Sequence, residues 1–428
     1  MGGKRRNKNK SDRDELAVAP SSSRQHTAKT SRETNDFELD NEDDAASVAS
    51  HLTLDDDLQS VMADDELDNE GEDDVSNDLS SRLSEYLDNA TNKNISIRLA
   101  AMNNIQMMLM KNYMIEELEK WTVTVMDFIE KTLKKTDEEA YRAAVLLALI
   151  CLQLGDSLSD QIEPIINILV QISTDSSRCE KIRVQCLNTL SICTYLCVEQ
   201  ASTLSTCANS LRSVWITTKA NSISTSVFSA ALAGWSLLIN QAGRRTLESA
   251  LLDESKLCAF IDGAQVDMRL SAGESLSVLY ETAIETMGVA YRFPNHQHLL
   301  ELLETLSTDS LKYRAKKDRR VQRFSFRQIY NFIKDQTAPS MKIKFSGETL
   351  ELDSCGKKLL YDLLCGVLRG GMNLHLKSNP MLREIFDLGP VPEHLPAKMS
   401  KLQRMAIQNA MNKTRDLQRA KQRDKRSC

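Results

Sequence analysis

The sequence predicts a mainly α protein: a helical-repeat solenoid with a small α+β C-terminal cap and a disordered N-terminal arm. Three observations carry that expectation. Gly and Pro are scarce, 15 and 8 in 428 residues, which disfavours collagen-like, disordered and turn-rich all-β chains. Aromatic residues make up only 5%, while Leu, Met and Ala, all strong helix formers, are plentiful. Finally, an arginine-led helical face recurs at a near-constant interval. Arg98-x-x-Ala101-x-x-x-Ile105 is followed by Arg142-x-x-Val145-x-x-x-Leu149, Arg183-x-x-Cys186-x-x-x-Leu190 and Arg269-x-x-Ala272-x-x-x-Leu276. Each places apolar groups three and seven residues after the Arg, on one face of a helix. The Arg-to-Arg steps are 44, 41 and 86 residues, the last being twice 43. A degenerate copy is therefore expected near Ser222 to Leu238, where small residues and Trp235 replace the Arg pattern. An all-helical period of this length marks armadillo or HEAT repeats, whose units bury their apolar faces only by stacking.

Residues 1–78 are expected to form a disordered, basic-then-acidic arm. A short cluster (Lys4, Arg5, Arg6, Lys8, Lys10) precedes the stretch 33–78, which holds 19 acidic residues and no Lys or Arg. Self-repulsion and few large apolar groups leave too little burial to offset chain entropy. Such an arm either solubilises the chain, screens a basic surface of its own protein, or engages a basic partner. Residues 79–309 are read as the armadillo-like repeats. Gly155 stops the helix that ends at Leu154, and Pro164 falls early in the next one, as helix ends prefer. Cys179, Cys186, Cys193 and Cys197, spaced by seven, seven and four, share one helical stripe. Without a CxxC pair or a Cys/His quartet they read as core thiols rather than metal ligands.

Residues 310–389 are read as a basic helix plus a small α+β C-terminal domain. Residues 310–345 carry 11 Lys+Arg against two acids. On a helical wheel Lys312, Lys316, Arg319, Arg320, Arg323, Arg327 and Lys334 fall within an arc of about 100°. Leu311, Val321, Ile329 and Phe332 lie opposite. Like charges at i,i+4 repel, so an unmixed cationic ridge sacrifices stability, and a polyanion such as rRNA or DNA is its natural partner. The competing reading is a solvated face, or one masked by the acidic arm. Met341–Phe345 and Glu348–Asp353 alternate around Ser346-Gly347, which predicts a β-hairpin, and a helix from Lys357 to Leu368 follows.

Residues 390–428 are read as a proline hinge (Pro390, Pro392, Pro396) and a basic C-terminal helix. The cations there are Lys398, Lys401, Arg404, Lys413, Arg415, Arg419, Lys421, Arg423, Lys425 and Arg426, giving residues 398–428 a net charge of +8. With little to bury, this segment reads as an arm that folds on RNA. A calmodulin-type or anionic-membrane helix is the weaker alternative, because aromatic anchors are absent. The overall charge of −6 thus conceals a −13 segment over residues 1–80 and this +8 tail.

Other classes find little support. The longest unbroken apolar run, Ala143 to Leu152, is too short to span a bilayer, no secretory leader opens the chain, and Met1-Gly2 lacks the Ser or Thr of a myristoylation signal at Arg6. Ten Cys without secretion read as reduced thiols of a cytoplasmic or nuclear protein. There is no GxGxxG, and Gly356-Lys357-Lys358 is no P-loop, since Glu351 stands where the first glycine belongs. His296-x-His298 has no third ligand at metal spacing. The expectation is a non-enzyme with no cofactor, no metal and no small-molecule substrate. RNP aromatics, zinc-finger spacing and a helix-turn-helix signature are also missing, so shape and phosphate are what it reads.

Several segments resemble one family. Asp267-Met-Arg-Leu-Ser-Ala-Gly-Glu-Ser-Leu-Ser-Val-Leu-Tyr280 resembles the last-repeat motif of the interferon-related developmental regulators. Arg314-Ala-Lys-Lys-Asp-Arg-Arg-Val-Gln-Arg-Phe324 resembles their basic helix. The block from Leu374 to Pro390 resembles their C-terminal domain. With Arg142–Gly155, the likeness spans roughly residues 80–425. The resemblance implies an armadillo-type fold and two alternative roles. One is ribosome binding that keeps ribosomes translationally inactive, with the C-terminal helix in the mRNA channel and contacts to rRNA and ribosomal proteins. The other is transcriptional co-regulation with histone deacetylase co-repressor complexes, which would add a nuclear role to a cytoplasmic one. Two separate basic elements favour the first.

Overall fold

A computed structural model describes residues 72–217, 224–263, 265–308, 316–345 and 347–391, together with Met405, Asn409 and Lys413. The chain is mainly α and folds as a solenoid of helix pairs. The outer helices are α1 (Glu72–Ala90), α3 (Ile115–Leu133), α5 (Ser159–Thr174), α7 (Ala201–Ile216), the broken α9 (Arg244–Leu251) and α10 (Glu254–Gly263), and α12 (His296–Thr308). Their inner partners are α2 (Ile95–Lys111), α4 (Asp137–Leu154), α6 (Glu180–Cys197), α8 (Thr225–Gln241), α11 (Val266–Met287) and α13 (Lys316–Asp335). Each inner helix packs on its outer partner and on the next inner helix. The degenerate copy is α8, where the Arg pattern is replaced by an edge-to-face pair of Trp235 with Trp215, ring centroids 5.0 Å apart. Most of the arm expected to be disordered lies outside the described residues; α1 begins at Glu72, ahead of Leu79 where the sequence places the first helix.

The repeat period is written into the hydrogen bonds. Arg98 Nε donates to Glu139 at 2.8 Å, 41 residues away. Thr189 Oγ1 donates to the Ala144 carbonyl at 2.9 Å across 45 residues. Ser271 and Ser229 pair at 2.7 Å across 42, and Asn240 donates to Thr282 at 3.0 Å, also across 42. Polar side chains on inner helices therefore find partners one repeat away, as buried polar groups must. Caps close the helices: Thr136 accepts from the Glu139 N–H, and Gly155, with φ of +56°, ends α4 where the sequence places the stop. The α4–α5 stretch is long and apolar enough to cross a membrane, but 78% of its most apolar window is buried inside the protein, as befits the central helices of a stack. Cys186, Cys193 and Cys197 are buried. Cys179 departs from the expected core stripe: it is the exposed N-cap of α6, its N–H bonded to Asp137 at 3.0 Å.

Beyond α13, β1 (Met341–Phe345) and β2 (Glu348–Leu352) form the expected antiparallel hairpin, with Gly347 at φ of +90° in the turn. Ile343, Phe345, Leu350 and Leu352 turn one face inward, while Lys342 and Lys344 stay exposed. The chain then reverses. α14 (Cys355–Leu368) runs back over α11, α8, α6 and α4, and a 3₁₀ turn (Arg369–Gly371) with α15 (Met372–Ser378) reaches α2. α16 (Pro380–Ile385) ends the return. The α+β segment is thus a strap along the inner row as well as a cap.

Candidate nucleic-acid interface

The predicted interface centres on α13, which is the inner partner of α12 and also packs on α11. Phe326, Ile329, Phe332 and Ile333 are buried on one face, the i, i+3, i+7 spacing of a docked helix. Gly273 of α11 makes this approach possible: a Cβ there would stand 2.9 Å from Ile329 Cδ1 and 3.0 Å from Phe326 Cε1. Phe332 meets Tyr280 edge-on with centroids 5.9 Å apart. The apolar half of the expected wheel is therefore in place at Ile329 and Phe332, while Leu311 and the side chain of Val321 lie outside the described residues.

The cationic half is described only in part. Lys316, Arg319 and Arg320 lie on α13, but their side chains, like all of Lys312, fall outside the described residues. Arg323 and Arg327 are half-buried rather than fully solvent-facing. Arg323 Nε is buried without a hydrogen-bond partner among the described residues. Lys334 is exposed, its ammonium 3.3 Å from the Tyr330 hydroxyl and 5.2 Å from the centre of that ring. That hydroxyl holds the ammonium pKa above its ordinary value. Of the C-terminal cations, Lys413 is helical and exposed, in step with the helical Met405 and Asn409. Lys398, Lys401, Arg404, Arg415, Arg419, Lys421, Arg423, Lys425 and Arg426 lie outside the described residues.

Two residues that position these elements are not among the predicted site residues. Glu281, buried on α11, accepts the N–H groups of Cys355 and Gly356 at 2.8 and 2.7 Å. It places a carboxylate on the N-terminus of α14, where the helix dipole favours it. Burial still pushes its carboxyl upward, against those two bonds. Arg383, only 2% exposed, ties the end of the strap together. It reaches Glu348 of β2 at 2.8 Å and donates to the carbonyls of Leu376, Leu388 and Gly389. The chain therefore leaves the folded body beside the hairpin. The sequence signal for Glu281 is a charged residue inside an apolar helical pattern, and Arg383 lies within the Leu374–Pro390 block. His296 is half-buried and stacks on Tyr280, its pKa lowered by burial. Among the described residues no three metal-binding side chains gather.

Comparison with known proteins places the chain. The interferon-related developmental regulator model matches residues 48–334, and the interferon-related protein conserved region matches residues 379–427. Human interferon-related developmental regulator 1 is 31% identical over 382 residues, covering 84% of this chain and 83% of the relative. Mouse interferon-related developmental regulator 2 is 31% identical over 371 residues, covering 82% and 83%. Among solved structures, a designed armadillo repeat protein covers 58% of this chain and all of its own length, at 15% identity and a TM-score of 0.37. Computationally designed armadillo repeat proteins for modular peptide recognition give 14% identity and a TM-score of 0.39 over the same share. The chain belongs to the interferon-related developmental regulator family.

Proposed function

We propose that this chain is a non-enzymatic regulator of translation that binds ribosomes, docks on rRNA phosphate through α13, and occludes the mRNA channel with its C-terminal arm. The observation that carries the reading is that both cationic segments join the folded body at the hairpin. α13 leads directly into the hairpin, and the chain exits beside the same hairpin into a tail of net charge +8 over residues 398–428. Each phosphate that such cations neutralise releases counterions, so affinity grows with their number without any base readout. Buried Phe326 and Phe332 root α13 on the solenoid, whereas a tail adapts to a channel.

The alternative, a scaffold for histone deacetylase co-repressor complexes, calls for an exposed apolar or concave groove. Residues 355–386 lie along α11, α8, α6, α4 and α2, so the chain itself covers that row. This occupation favours the ribosome reading. Sucrose-gradient sedimentation tests it: the full chain is expected to travel with ribosomes in low salt, and a version ending at Pro396 to lose most of that peak. Full-length protein that stays at the top of the gradient, while co-purifying with nuclear co-repressors, overturns it.

A further inference from the structure

A small crevice of about 50 Å³, open to solvent, lies between α11, α13 and α14. Its floor is apolar, built from Val278, Ile329, Phe332 and Leu359. Its rim carries two carboxylates and one ammonium. Lys358 Nζ donates to Asp362 at 3.4 Å and forms an ion pair with Glu274 at 3.8 Å, so one ammonium is shared by two carboxylates. The side of α13 that faces the crevice presents Ser325 and Gln328, which are neutral, in place of the cations found elsewhere on that helix. One formal negative charge is therefore left over at the mouth of an apolar slot.

We propose that this crevice is a docking pocket for an arginine side chain from a basic protein partner. The chemistry fits that occupant better than others. A guanidinium is planar and pairs with a carboxylate in two-point fashion. Its methylene stem covers apolar surface while the charged head stays at the rim. An incoming cation balances Glu274 and Asp362 against Lys358. It also relieves Asp362, whose carboxyl burial pushes upward despite the lysine. A phosphate or nucleic-acid ligand would instead meet two carboxylates. The pocket thus adds a protein contact beside the cationic face, and it stands independently of the RNA reading.

Methyl NMR on the full chain, carbon-13 labelled at Ile and Leu, tests this directly, with N-acetyl-arginine amide as the probe. The Ile329 and Leu359 methyl resonances are expected to shift saturably. Glu274→Gln, at the exposed rim, and Asp362→Asn, an isosteric change, are each expected to weaken the response about fivefold, as loss of one partly exposed ion pair predicts. Thermal unfolding of both variants establishes that they remain folded. Uncharged N-acetyl-norleucine amide and inorganic phosphate are expected to leave the two resonances nearly in place. Unmoved resonances with the arginine probe, an equal response to norleucine amide, or unchanged affinity in both folded variants overturns the proposal.

Discussion

Gly371 lies directly against the backbone carbonyl of Met110: a Cβ at position 371 would overlap the Met110 oxygen. This contact brings the far end of the C-terminal strap onto the second helix of the solenoid, 261 residues earlier in the chain. Backbone, unlike the tip of a flexible side chain, cannot move aside cheaply. Gly371→Ala is therefore expected to destabilise the protein by about 1–3 kcal/mol, the cost of overpacking. Urea unfolding measures the loss, and limited proteolysis is expected to cut first between residues 369 and 386.

Glu281 offers a second test of the strap. Its carboxylate accepts the first two N–H groups of α14, and Ser354 Oγ accepts that of Lys357. Hydrogen bonds to a charged group contribute about 1.5–3 kcal/mol each, and a truncation leaves buried donors unpaired. Glu281→Ala should lower stability by about 3 kcal/mol, and Glu281→Gln by less because one acceptor remains. Hydrogen exchange is expected to quicken over residues 355–360 before the repeats respond.

The inter-repeat ion pair predicts a pH dependence. Burial alone would raise the Glu139 carboxyl, but hydrogen bonds from Arg98 and Thr136 hold it below the ordinary glutamate range. A carboxylate depressed in the folded state contributes stability that is fully present above its unfolded pKa. That stability is lost as pH falls through the depressed folded value. Arg98→Ala leaves Glu139 buried and without its main partner, which costs about 3 kcal/mol at neutral pH. The variant should also lose part of the wild-type fall in stability on acidification, since Glu139 then takes up a proton at a higher pH. Urea midpoints at pH 7 and pH 4 for both proteins measure the difference.

Docking of the basic helix can be separated from its charge. Phe326 is fully buried against α11, so Phe326→Ala should cost about 3–5 kcal/mol through cavity formation. Replacing Lys316, Arg319 and Arg320 with Ala is expected to leave unfolding nearly unchanged while weakening ribosome association. A loss of association with Phe326→Ala alone, at full stability, would contradict this division of roles.

Much of the fold was legible in the sequence because its information is local or periodic. Arg98, Arg142 and Arg183 mark inner helices that begin at residues 95, 137 and 180, and Ser346-Gly347 marks the hairpin turn. The return of the strap was not legible. His375 Nε2 meets the Leu109 carbonyl at 2.9 Å across 266 residues, and Asn379 donates to the Leu152 carbonyl at 2.6 Å across 227. Such pairs leave no spacing to read, since either residue would look the same on a solvent-facing turn. Cys179 shows the opposite failure: it keeps the period of the thiol stripe, yet it lies just outside α6, where the helical wheel no longer applies. The cationic face was visible as composition, but the half-burial of Arg323 and Arg327 depends on how α13 packs against α11 and α12.

The central claim is occlusion of the mRNA channel by the C-terminal arm, and competition with message tests it most directly. Ribosomes are loaded with the full chain or with the version ending at Pro396, and capture of a labelled unstructured mRNA is then measured by filter binding. The account predicts that the full chain blocks capture, that the shortened chain does not, and that the block weakens steeply with added salt as phosphate contacts are screened. Ribosomes that hold the full chain and the mRNA together, in low salt, would contradict it.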